Sequence, residues 1–128
     1  MIDFEQNLRY LSIAEKTLNA KYDDAKFITL LNGDEVDAIT LFTRFCPFHC
    51  EMTVMAKYGT RKYLREVFSY PFLKLGYNRV NAFVKADNQK SHLLCQRLGF
   101  EEEAYLSGWY GDADGIMYGM LKENCKWL

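Results

Sequence analysis

Apolar positions along this chain change their period several times, and each change marks an element. Near the start, Phe4, Leu8, Leu11, Ala14 and Leu18 recur at helical spacing with Glu5, Arg9, Glu15 and Lys16 between them. Asp3 stands where an N-cap is wanted, so the pattern predicts an amphipathic helix capped by Asp3. Residues 26–31 are apolar and β-prone, Asn32-Gly33 is a strong turn dipeptide, and residues 36–44 resume with Val, Ile, Leu, Phe and Thr. That predicts a hairpin. Residues 49–56 alternate, with Cys50, Met52, Val54 and Ala56 on one face and Glu51, Thr53 and Met55 on the other, as a third strand requires.

After Gly59 the period lengthens again, and Leu64, Val67, Phe68, Phe72 and Leu75 form a helical stripe that stops at Gly76. Pro71 lies inside that stripe and lacks an amide donor, so the helix should kink or restart there. Residues 79–85 read as a strand, Asn88 as the N-cap of a helix through Leu98, and Gly99 as its stop. Residues 100–106 and 116–121 read as two final strands joined by a polar, glycine-rich loop. The order is helix, three strands, helix, strand, helix, two strands. A strand, helix, strand unit in the middle needs a crossover, which predicts a mixed sheet in an α/β or α+β fold with helices on both faces.

The 128 residues suit one domain, so the chain is read as a single unit over 1–128. Sixteen basic against seventeen acidic residues give a net charge of -1, which argues against nucleic acid as an obligatory partner. An RNA-binding sheet would also want exposed stacking rings and excess positive charge. There is no run of roughly 20 apolar residues to span a bilayer, and the start lacks a signal-peptide pattern, so a cytoplasmic protein is expected. Cys46, His49 and Cys50 bring three soft ligands within five residues, but a tetrahedral zinc site wants a second segment, and the other His is the distant His92. The expectation is buried, reduced thiols and no metal.

The segment at residues 86–104 carries a more specific signal: Asn88, Ser91 three positions on, then Gly99-Phe100. Together with the element order, it resembles the N-x-x-S/A…G-F signature of the Gcn5-related N-acetyltransferase (GNAT) superfamily, in particular its short bacterial and phage members. Tyr70-Pro71-Phe72, Arg79-Val80 and the end of the chain at Tyr118-Gly119-Met120-Leu121 and Trp127-Leu128 add to the likeness, which covers about the last eighty residues. It implies a mostly antiparallel central sheet whose third and fourth predicted strands, residues 49–56 and 79–85, splay apart to take the pantetheine arm of acetyl-CoA. The pyrophosphate is then expected at the start of the following helix, on the segment Lys57-Tyr58-Gly59-Thr60-Arg61-Lys62, where unpaired amides and the helix dipole favour an anion.

Three departures accompany the resemblance. The family's Q/R-x-x-G-x-G/A loop aligns with Ala56-Lys57-Tyr58-Gly59-Thr60-Arg61 and keeps only its first glycine, so Arg61, Lys57 and Lys62 stand in as side-chain phosphate ligands, or form an ordinary solvated helix start. The Tyr that many members place seven residues after the Asn is Cys95 here, which shifts the candidate proton donors to Ser91, Tyr105 and Tyr118. The N-terminal region is shortened, with the family's usual first strand and one of its two N-terminal helices absent or merged, which implies an open acceptor site suited to a protein N-terminus or lysine, or closed by a second subunit in a homodimer.

The resulting expectation is an acetyl-CoA-dependent N-acetyltransferase acting on an amine acceptor. Glu51 is the leading general base and His49 the next, both on one face of the same strand and both equally readable as solvent-facing residues. Backbone amides near Met55 would polarise the thioester carbonyl. Asn88, Ser91 and Cys95 would line the cofactor side, and Trp109, Tyr110 and the turn Asp112-Ala113-Asp114 would border the acceptor entrance with Tyr105. The competing expectation, favoured by the reduced loop and the missing Tyr, is a GNAT-fold partner protein without catalysis.

Overall fold

The structure, a computed structural model, describes residues 1–57 and 59–128. Seven strands form one sheet: β1 (Ile2–Asp3), β2 (Lys26–Asn32), β3 (Glu35–Thr43), β4 (His49–Ala56), β5 (Arg79–Lys85), β6 (Glu101–Leu106) and β7 (Gly115–Leu121). The helices are α1 (Leu8–Leu18), α2 (Arg61–Ser69) and α3 (Gln89–Leu98). The spatial order is β1-β2-β3-β4-β5-β7-β6, and every neighbouring pair is antiparallel except β4 with β5. This is the mixed, mostly antiparallel sheet that the element order predicts.

Two cores flank the sheet. On one face α2 and α3 close over Phe42, Cys50, Met52, Val80 and Tyr118; on the other α1 packs Tyr10 and Ala14 against Phe27, Ile39 and Leu41. Pro71 acts as expected and makes the helix widen after Ser69. Lacking an N–H, Pro71 cannot serve the preceding turn, and the chain continues as a π-helical turn over Tyr70–Lys74 in which the Leu75 amide donates to the Tyr70 carbonyl at 3.0 Å. The widened turn lets Phe68 and Phe72, both fully buried, stack 6.3 Å apart. Each such ring contributes about 1.5–3 kcal/mol over its exposed state.

The N-terminus differs from its sequence reading. Asp3 is not a helix cap: it lies in β1 and takes the Tyr10 hydroxyl on its carboxylate at 2.8 Å. The Gln6 side chain pairs with the Phe27 backbone in both directions, donating to its carbonyl at 2.9 Å and accepting its amide at 3.0 Å. That pairing holds residues 4–7 extended, so the helix starts only at Leu8, capped by Asn7. Phe4 and Leu8 are consequently exposed, and the buried stripe shifts to Tyr10 and Ala14. The first strand of the sheet is therefore present, reduced to two residues.

The start of α2 is pinned firmly. The buried Tyr63 hydroxyl donates to the Ile28 carbonyl at 2.8 Å and lies 2.8 Å from the Thr40 hydroxyl, tying the first turn of the helix to β2 and β3. Losing such a buried pair costs about 1–3 kcal/mol.

Candidate functional site

Strands β4 and β5 pair over only three positions, His49 with Arg79, Cys50 with Val80 and Glu51 with Asn81. Beyond Glu51 they part. From there residues 52–56 keep their ladder with β3 alone, so their backbone groups on the β5 side have no strand partner. The gap opens a cleft of about 790 Å³ that runs through the sheet. Because side chains alternate along both strands, Met52, Val54, Ala82 and Val84 line its α3 side, while Glu51, Thr53, Phe83 and Lys85 line its α1 side.

On the α3 side the helix start is set by Asn88, whose Oδ1 accepts the Ser91 amide at 3.2 Å, and the helix ends at Gly99 in the left-handed region. Asn88, Ser91, Leu94, Cys95 and Leu98 all line the cleft. Burial pushes the Cys95 thiol up to about 11, so it keeps its proton at neutral pH. Tyr118 lies beneath this helix and is not among the cleft-lining residues. Its hydroxyl is 2.8 Å from His92 Nδ1, while His92 Nε2 is 3.0 Å from the Ala86 carbonyl. Nε2 must carry the proton toward that carbonyl, so Nδ1 accepts and the Tyr118 proton is committed to His92.

The loop expected to meet phosphate falls partly outside the described residues, since it includes Tyr58. Thr60 caps α2 by accepting the Tyr63 amide at 3.0 Å, and Lys57 donates its amide to the Asp37 carbonyl at 2.8 Å. Gly59 and Lys62 are exposed. Arg61 places its guanidinium 5.5 Å above the Trp127 ring, whose indole N–H donates to the Leu98 carbonyl at 2.8 Å. Met55 turns its side chain to the α1 core, leaving only its backbone on the strand edge that faces the gap. None of these residues lines the cleft.

On the α1 side the apex is charged. Glu51, with 16 % of its side chain exposed, accepts an ion pair from Arg44 Nε at 3.0 Å. Burial raises the Glu51 carboxyl above its ordinary value, and Arg44 offsets part of that rise. Burial also raises Tyr22 and Tyr110, and the Glu51 charge adds to both. Arg44 follows the last residue of β3 with φ +50°, in the left-handed region. A residue with a Cβ gives up about 1–2 kcal/mol there, more than the ~0.2–1 kcal/mol that a largely exposed ion pair returns. The same guanidinium lies 6.0 Å over the Trp109 ring, and Trp109 stacks on Phe83 at 5.2 Å. Residues 18–23 between α1 and β2 complete this wall.

Of the residues singled out by sequence, the cleft brings together Glu51, Asn88, Ser91 and Cys95, with Trp109 and Tyr110 at its α1 side. It does not bring in His49, Tyr105 or Asp112. The Arg79 Nε–H donates to Asn81 Oδ1 at 2.7 Å, which leaves the Asn81 amide nitrogen to donate to His49 Nδ1 at 3.0 Å. Arg79 also pairs with Glu103 at 2.6 Å across Gly119, where a Cβ would collide with both groups. His49 thus belongs to a polar network that ties the closed end of the strands together. Tyr105 donates to Asp114, which also accepts the Gly108 amide at 2.7 Å, so both shape the β6–β7 loop. Cys50 points into the opposite core, fully buried, with its thiol pushed up to about 12, so it does not converge with Cys46 and His49 on a metal. Sequence reading missed Arg44, Tyr22, Phe83 and Lys85; the one local signal was Arg44 ending a strand that opposes Glu51.

Solved structures similar to this chain include acetyltransferases. PseH of Campylobacter jejuni, an N-acetyltransferase in complex with acetyl coenzyme A, matches with a TM-score of 0.62 and 21 % identity over 94 % of this chain and 80 % of its own. A mutant of the spermidine N-acetyltransferase SpeG from Vibrio cholerae gives a TM-score of 0.69 and 15 % identity over 97 % and 78 %. A GNAT-family acetyltransferase from Bacillus anthracis gives 0.64 and 17 % over 88 % and 72 %. No protein-family model and no curated protein matches the sequence. The chain has the GNAT fold.

Proposed function

We propose that this GNAT-fold chain is an acetyl-CoA-dependent N-acetyltransferase that moves an acetyl group to an amine. The observation that carries the reading is the parting of β4 and β5 immediately after Glu51 and Asn81, which sets a half-buried carboxylate at the apex of a cleft running through the sheet. Acetyl-CoA fits the α3 side on two counts. The unpaired backbone of residues 52–56 offers amide partners to the pantetheine arm, and the apolar wall of Met52, Val54, Ala82 and Val84 is long enough to follow it. The first-turn amides of α2, with Arg61 and Lys62, would take the pyrophosphate.

In this reading the acceptor reaches the apex from the α1 side. Its nitrogen attacks the thioester carbonyl carbon, and Glu51, already made more basic by burial, takes the proton that nitrogen sheds. Collapse of the tetrahedral adduct breaks the C–S bond and leaves the electron pair on sulfur. Cys95 keeps its own proton too tightly to surrender it, so the sulfur takes a proton from solvent relayed by the Ser91 hydroxyl, which regains one from the same water, while Glu51 releases the amine's proton to solvent. Tyr118, engaged with His92, supports α3 from beneath.

One observation favours the reading of a partner protein without catalysis: the Arg61 guanidinium is already seated on Trp127, so phosphate must compete for it. Calorimetric titration with acetyl-CoA, followed by thiol release in the presence of amines, separates the two. Saturable binding with turnover supports the enzyme. No saturable binding supports the non-catalytic protein. The wall formed by residues 18–23 supports an acceptor mouth completed within one chain, against the alternatives of a protein acceptor or a homodimer that closes it.

A further inference from the structure

We infer that the acceptor is a free amino acid with an aromatic or large apolar side chain, its carboxylate held by the guanidinium of Arg44 while its amine lies at Glu51. The inference rests on the acetyltransferase reading of the same cleft and names what enters its α1 side. Arg44 approaches Glu51 through Nε, at 3.0 Å. Among the described residues its two terminal nitrogens make no hydrogen bond, and 69 % of the side chain is exposed. Those two N–H groups are the parallel fork that receives a carboxylate in bidentate geometry. A cationic fork and an anionic base, one guanidinium width apart, match the adjacent carboxylate and amine of an amino acid.

The backbone supports this use. Arg44 is held left-handed, which an exposed ion pair does not repay, and strain of that kind persists where a side chain must be aimed. It aims the guanidinium over Trp109, 6.0 Å from the ring centroid. Charge along the wall points the same way: Arg44 and Lys85 line it with Asp23 and Glu51, while Lys21 is paired with Glu15 at 3.9 Å. A polyamine would bring only positive charge to a wall whose own charges balance, whereas a zwitterion brings one charge for each partner. Tyr22, Tyr110 and the stacked Phe83 and Trp109 then present aromatic surface to the acceptor's side chain.

The test measures thiol release from acetyl-CoA with L-phenylalanine, L-phenylalaninamide and spermidine, after calorimetry has fixed the acetyl-CoA affinity of each protein. Wild type should prefer L-phenylalanine to its amide by about ten- to a hundredfold in kcat/KM, as the loss of a charge-assisted bidentate contact implies. Arg44→Asn, a residue that accepts the left-handed backbone, should abolish that preference mainly through KM and leave acetyl-CoA affinity unchanged. Arg44→Lys should restore only part of it, since an ammonium cannot form the fork. Comparing the ratio between variant and wild type cancels the different basicities of the two amines. The inference is overturned if the amide or spermidine serves as well as phenylalanine, if Arg44→Asn leaves the ratio unchanged, or if acetyl-CoA binds and the amino acid is never acetylated. Failure of acetyl-CoA to bind wild type would instead remove the acetyltransferase reading itself, and this inference with it.

Discussion

The two sides of the cleft are built from different material. Its α3 side is walled by regular elements, β4, β5 and α3, and its side chains are small, apolar or capping. Burial there keeps Cys95 neutral, and the polar side chain at the helix start, Asn88, serves the α3 backbone. The α1 side gathers residues 18–23, Arg44, Glu51, Lys85, Trp109 and Tyr110 from five separate segments, and its polar groups are charged and partly exposed. A long, invariant arm needs a rigid, neutral track, whereas a choice among acceptors is made by side chains carried at strand ends and loops. One sheet supplies both because alternation along β4 and β5 sends consecutive residues to opposite sides of the same gap.

Substitutions on one side should therefore leave the other intact. The largest expected effect is on the α1 side: Glu51→Gln should lower turnover by about 10² to 10⁴ while acetyl-CoA affinity in a calorimetric titration stays at the wild-type value. A joint loss of rate and cofactor affinity would show that the two sides are not separable. On the α3 side, Asn88→Ala should cost about 1 kcal/mol of stability through the lost cap and weaken acetyl-CoA binding. Unchanged melting temperature and affinity together would remove Asn88 from the site. Arg61→Ala should be smaller, a few-fold loss of acetyl-CoA affinity at low salt that shrinks at high salt, because a charge-to-phosphate contact is screened. Equal affinities at both ionic strengths would mean that Arg61 serves Trp127 alone.

The smallest effect concerns stability and pH. Burial raises the Glu51 carboxyl in the folded protein above its ordinary value of 4.5, so the fold favours its protonated form. That contribution is fully present below pH 4.5 and is lost as pH rises through the higher folded value. Glutamine carries no such charge. The Glu51→Gln protein should melt above wild type at pH 7.5, and the gap should close on acidification toward pH 4, with the neighbours Arg44, Tyr22 and Tyr110 common to both proteins. A gap that holds constant with pH would place Glu51 in a better-solvated setting than its side-chain exposure of 16 % implies.

What could be read before the structure divides along the same line. The β4 alternation, the Asn88 and Gly99 caps and the Pro71 break are local signals, and they placed Glu51, Asn88, Ser91 and Cys95 on elements that meet at one gap. The helix start was misread because Phe4 happens to continue its stripe, while the interaction that holds residues 4–7 extended, Gln6 with Phe27, spans 21 positions. Arg44, Tyr22 and Lys85 carried no motif, since their neighbourhood is created by strand order. His49 and Tyr118 were reasonable chemical candidates by residue type, but their partners Asn81 and His92 engage their polar atoms, and only packing reveals that.

The central claim is that acetyl-CoA runs along the unpaired edge of β4 toward Glu51 from the α3 side. Amide hydrogen exchange with and without acetyl-CoA tests it most directly. The account predicts saturable protection confined to residues 52–56, the start of α2 and the amides around Asn88 and Ser91, with α1 and residues 18–23 unchanged. Saturable binding whose protection falls instead on the α1 side, or no protection at any concentration that saturates a known acetyltransferase, would contradict it.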